Sequence, residues 1–162
     1  LKPIPRAEMD SRKIDGVIST LEHFRREERL APFFEAAEVV AVYPINGRAA
    51  NGVGFAYGRG LVFEKGDRVI GHTRMWQLSM GPQVGGQLYR QILFFKSRAI
   101  YEAFMRSPAE FAGQFNAAAL IVGVSSTPSF NGEVALFTQL LGGLLLEASI
   151  GAHRYTFAPI ED

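Results

Sequence analysis

The sequence predicts an α+β fold: a curved or barrel-like antiparallel sheet with an N-terminal amphipathic helix and a short helical insertion. Three observations predict it. Apolar residues recur at helical spacing near the start, short turn-punctuated segments fill most of the remainder, and one strand candidate has glycine at alternate positions. The 162 residues fit a single domain, 1–162, with a helical segment at about 10–38 and a sheet-rich remainder. A composition that is 48% apolar and 20% charged supports a well-filled core.

Between Ser11 and Arg29, the residues Ile14, Val17, Ile18, Leu21 and Phe24 form one stripe, the pattern of a helix that buries one face. Asp10 or Ser11 is placed to cap it. Gly16 costs such a helix about 1 kcal/mol relative to alanine, so its stability has to come from packing. Pro32 opens a second short helix through "PFFEAAE". The period then changes. "VVAVYP" reads as a strand ended by Pro44, and "INGRAANG" after it is turn-rich. "GLVFEKGDRVIG" reads as a hairpin turning at Lys65-Gly66-Asp67. In "RMWQLSM", Trp76, Leu78 and Met80 alternate with Gln77 and Ser79. "QLYRQILFF" is a further strand. Ser97 can cap a helical insertion at Ala99 to Phe115, which restarts at Ser107, Pro108 and Glu110. The tail returns to strands in "EVALFTQ", "GLLLEASIG" and "HRYTFAP".

The glycines of "NGVGFAYGRG" invite a phosphate-loop reading. A dinucleotide fingerprint needs G-x-G-x-x-G leading into a helix, and a P-loop needs a closing Gly-Lys-Ser/Thr. Here the spacing is Gly52, Gly54, Gly58, Gly60, followed by the strand-like "LVFEKG". Parity gives a better account. Gly52, Gly54, Ala56 and Gly58 share one face of a strand, opposite Val53, Phe55 and Tyr57. A face that bare lets a neighbouring element approach closely or lets the sheet bend. "GPQVGGQ", 81–87, reads the same way.

Read in order, "LAPFFEAAEVVAVYP", "GVGFAYGRGLVFEKG", "SMGPQVGGQLYRQILFF" and "GGLLLEASIG" resemble the SYLF-domain family of lipid-binding proteins, in its bacterial form. The resemblance covers about Leu30 to Pro159. It implies a non-enzymatic module that binds anionic membrane lipids, phosphoinositide-like or with other phosphate headgroups, without a cofactor. It also implies an exported, membrane-associated protein, periplasmic or an outer-membrane lipoprotein, whose anchor would lie upstream of Leu1. In the family, lipid binding is attributed partly to a basic amphipathic N-terminal helix. The matching segment carries Arg12, Lys13, Arg25, Arg26 and Arg29, interleaved with Asp15, Glu22, Glu27 and Glu28.

Charge distribution points to a second place. The net charge is +1, but residues 48–106 carry nine Lys and Arg against three acids. Arg48, Arg59, Lys65, Arg68 and Arg74 of this basic stretch join Arg12, Lys13, Arg25 and Arg26 of the helical segment as candidate lipid-binding residues. Other chemistries find little support. There is no cysteine for a thiolate site or nucleophile, and the three histidines, His23, His72 and His153, lack metal-ligand spacing. No G-x-S-x-G elbow is present, and "VSSTPS" reads as a polar loop. Glu147, set among leucines, needs a partner, for which Arg154 is suited. Nucleic-acid signatures are missing. The longest apolar runs, "AAALIVGV" and "LLGGLLL", are too short to span a bilayer as helices. The alternative is a small ligand-binding barrel or hydrolase acting on an apolar molecule.

Overall fold

In the computed structural model the described residues are 1–50, 53–80, 88–107, 133–140, 143–146 and 151–162, with side chains at 45–56, 77–89, 138, 140 and 143–153 outside the description. The Asp10 carboxylate accepts a hydrogen bond from the Arg12 amide at 2.9 Å and so starts α1, Ser11–Arg25. Val17, Leu21 and Phe24 are buried along one side, as the apolar stripe predicts. A single 3-10 turn, Glu28–Leu30, leads into α2, Ala31–Ala36, with Pro32 in its first turn. The buried Phe33 of α2 packs edge-on against Phe137, with ring centroids 4.7 Å apart.

The strands are β1 (Ile4–Pro5), β2 (Val39–Ala50), β3 (Val53–Glu64), β4 (Arg68–Met80), β5 (Leu88–Phe95), β6 (Val134–Leu140), β7 (Gly143–Leu146) and β8 (Gly151–Glu161). They form one sheet in the order β1-β8-β4-β3-β2-β5-β6-β7. Seven are antiparallel neighbours, and the two-residue β1 adds to β8 in parallel. The helical insertion is α3, Arg98–Arg106, capped by the Ser97 hydroxyl, which accepts from the Ile100 amide. Its expected continuation at 108–115 lies outside the described residues.

The α+β class is as expected, but the sheet is not closed into a barrel. Alternation along β2 shows why. Val39, Ala41 and Tyr43 are buried in one cluster with Tyr101 and Phe104 of α3, while Val40 and Val42 are buried in another with α1 and α2. Both faces are apolar and each has a helical cover, so the chain forms layers on an open sheet instead of a lumen.

Two local expectations also fail. β2 does not end at Pro44, and "INGRAANG" is not a turn: the strand runs on to Ala50 and pairs with β3. The ladder accommodates the proline by a gap. Val42 faces Leu61 and Ile45 faces Gly58, while Tyr43 and Pro44 have no β3 partner, so the missing N–H breaks no bond there. The glycine reading holds at Gly60, where a Cβ would fall on the Val42 carbonyl oxygen and 2.8 Å from the Tyr43 ring. Gly52 and 81–87 lie outside the described residues. The turn at Lys65–Asp67 is as read, with positive φ at Gly66 (95°) and Asp67 (65°).

Candidate functional site

The N-terminal ten residues, for which the sequence predicts no element, form a strap that adds to the sheet beside β8. Ile4 and Pro5 pair with Ile160 and Glu161. Arg6 then donates to Asp162 at 2.6 Å and to the Val69 carbonyl at 2.8 Å, and the His72 ring contacts the Lys2 carbonyl oxygen at 2.7 Å. The strap, the first turns of α1 and the β3–β4 hairpin enclose a cleft of about 560 Å³. That volume is within the range of small-molecule sites.

The hairpin wall of this cleft is the unusual one. Arg59 of β3 stands directly opposite Arg74 of β4, and both line the cleft with Lys13 of α1. Like charges facing each other across strands are destabilising unless something neutralises them. Among the described residues, none of the three takes part in an ion pair. Among the described residues the Arg59 guanidinium donates to the neutral Tyr57 hydroxyl, at 3.3 Å. Tyr57 faces Trp76 across the strands, with ring centroids 5.5 Å apart, and forms an aromatic shelf beside the two arginines. The register places Arg154 of β8 opposite Trp76, on this same face and exposed. Thr156, opposite Arg74, has a buried hydroxyl without a hydrogen-bond partner among the described residues.

Acidic groups are present too. Glu8 and Asp10 line the strap side, so the formal charge of the lining is +1. The Asp10 carboxylate is engaged by the α1 amide it caps, and His72 by the strap. Below the charged rim, Val17 and Leu61 are buried apolar lining residues, 6% and 8% exposed, beside the buried Gly60 and Thr73, with Ile4, Met9 and Ile14 half-buried around them.

The remaining candidates sit elsewhere or are occupied. Arg68 donates to Asp162 at 2.6 Å and lies 3.7 Å from Glu64. The Asp162 carboxyl is held below the usual carboxylate range by hydrogen bonds from Arg6 and then Arg68. Arg25 pairs with Asp67 and lies over the Phe34 ring, and Lys65 donates to the Glu35 carbonyl oxygen at 2.9 Å. Arg12 is exposed on α1, and Arg26 is exposed at the C-terminal cap of that helix. Arg48 is on β2 with its side chain outside the described residues, as are Glu147 and the His153 side chain. The nine cations therefore do not form one surface; Lys13, Arg59 and Arg74 are brought together. Arg154 and Thr156 join them through the β4–β8 register, a long-range pairing that leaves no local signal in the sequence.

No protein-family model matches the chain. Over 84 residues the chain is 26% identical to "Beta cell expansion factor A" of Aeromonas veronii, a stretch covering 52% of this chain and 32% of that protein. The chain thus spans about a third of the length of the curated relative it matches.

Proposed function

We propose that this domain is a non-enzymatic binder of anionic membrane lipids, with Lys13, Arg59, Arg74 and Arg154 as the contact cations. The observation that carries this reading is the Arg59–Arg74 pair: two arginines are cross-strand partners, and neither takes part in an ion pair among the described residues. A phosphate between them would relieve the repulsion and accept from both forks. Each cation near an anionic surface is worth about 1 kcal/mol, so four together give roughly a thousandfold gain in membrane partitioning. Trp76 and Tyr57 beside them suit an interfacial position. We further infer that the sheet curves at the β2–β3 gap and at the register shift between Val62 and Phe63, which turns the hairpin wall toward the membrane. The exported, membrane-associated location implied by the family resemblance belongs to the same proposal.

Co-sedimentation with vesicles tests it. Binding should require anionic lipid and fall steeply between low and high salt. Pelleting that ignores both lipid charge and salt would overturn the reading. The cleft's volume of about 560 Å³ supports a second reading, a site for a small apolar ligand in this cleft and not in a barrel interior.

A further inference from the structure

The cleft has a vertical division of chemistry. Its buried aliphatic lining residues are Val17 and Leu61, and Ile14 and Met9 continue that surface upward; the buried Thr73 also lines it, with its hydroxyl engaged by the Tyr43 hydroxyl and the Thr156 carbonyl oxygen. Its cations, Lys13 and Arg59, are exposed, with Arg74 half-buried between rim and floor. A flat phosphate-binding surface has no need of an aliphatic floor, and a site for a neutral apolar molecule has no need of facing arginines. One class of ligand uses both.

We propose that the cleft between α1, the strap and the β3–β4 hairpin takes a single-chain anionic amphiphile. The alkyl chain lies against Val17, Leu61 and Ile14, and the phosphate or carboxylate head sits at Arg59 and Arg74. This rests on the proposed lipid-binding reading of the same cations and deepens it, because the ligand is held one molecule at a time instead of as a membrane surface. The head exchanges hydration for two guanidinium forks, and the chain leaves water. Glu8 and Asp10 stand on the strap wall, away from the hairpin cations in sequence, and disfavour a head of more than modest negative charge.

The test uses n-alkyl phosphates from butyl to hexadecyl, each below its micelle concentration. Trp76, the single tryptophan, neighbours Arg74 on the same strand face and reports binding by its fluorescence. Affinity should rise about fourfold per added methylene while the chain is being buried. It should then level off once the cleft is filled. Arg59→Gln with Arg74→Gln should weaken every chain length by the same factor and leave the slope unchanged. Ile14→Asn should flatten the slope and spare the butyl compound. n-Alkyl carboxylates run in parallel separate a phosphate head from a carboxylate head.

Affinity that is independent of chain length overturns the inference, and so does affinity that climbs without a limit, the behaviour of adsorption to an open surface. If either occurs while arginine-dependent vesicle binding persists, the inference fails and the membrane-surface reading stands. A chain-length limit without charge-dependent vesicle binding gives the converse.

Discussion

The β3–β4 hairpin carries two cross-strand charge pairs with opposite outcomes. Next to its turn, Arg68 faces Glu64 and is also held by Asp162. Five residues up the strand, on the other side of the bulge, Arg59 faces Arg74. The turn end is compensated from within: Arg25 pairs with Asp67 and Arg68 with Asp162, and Lys65 donates to the Glu35 carbonyl oxygen. At the cleft end, Lys13, Arg59 and Arg74 take part in no ion pair among the described residues. Charge that the fold neutralises ties segments together, as Asp162 ties the strap to the hairpin through Arg6 and Arg68. Charge that the fold leaves over is available to a ligand and carries a small stability penalty while it waits.

That contrast can be broken at its base by Gly60→Ala. The added Cβ collides with the Val42 carbonyl, backbone that cannot swing aside. The expected loss is about 3 kcal/mol, read by thermal or denaturant unfolding. Gly16→Ala, where a Cβ meets nothing within 4 Å, should instead stabilise the protein by up to about 1 kcal/mol. Lys13→Glu and Arg154→Glu sharpen the membership of the cleft group. Each reversal should lower affinity for anionic vesicles by roughly thirtyfold, two charge units at about 1 kcal/mol each. Wild-type affinity for the Arg154 variant would confine the site to α1 and the hairpin.

The stability signs should also differ between the ends. Arg59→Gln removes a like-charge contact and should leave stability unchanged or raise it by about 0.5 kcal/mol, while Arg68→Gln lowers the melting temperature. The smallest effect is one of pH. Because the Asp162 carboxyl is depressed in the folded state, its contribution is complete above the ordinary carboxylate pKa and is lost as pH falls through the lower, folded one. The difference in melting temperature between wild type and Asp162→Asn should be constant around neutrality and close only in strong acid.

Features set by local physics were legible from sequence. The Asp10 cap, the α1 stripe, the Ser97 cap and the Lys65–Asp67 turn each follow from residues within a few positions of one another. Pro44 misled because its local rule, strand end, gave way to a gap in the β2–β3 ladder that only the partner strand reveals. The strap has too few paired residues to show a period. The barrel expectation failed because parity shows which residues share a face, not that both faces will be covered. The basic middle segment was visible as composition, but its division was not. Whether Arg59 meets Thr73 or Arg74 is decided by register, and the shift between Val62 and Phe63 within the hairpin itself puts Arg74 opposite it.

The most direct measurement sets the two ends against each other in a single vesicle-binding series. Arg59→Glu with Arg74→Glu should reduce affinity for anionic vesicles by a hundredfold or more at unchanged fold, on the order of 1 kcal/mol for each charge unit reversed. Arg25→Glu with Arg68→Glu should bind within a few-fold of wild type and melt earlier. Equal losses from both pairs, or a larger loss from the turn pair, would contradict the assignment of function to the cations that the fold leaves unpaired.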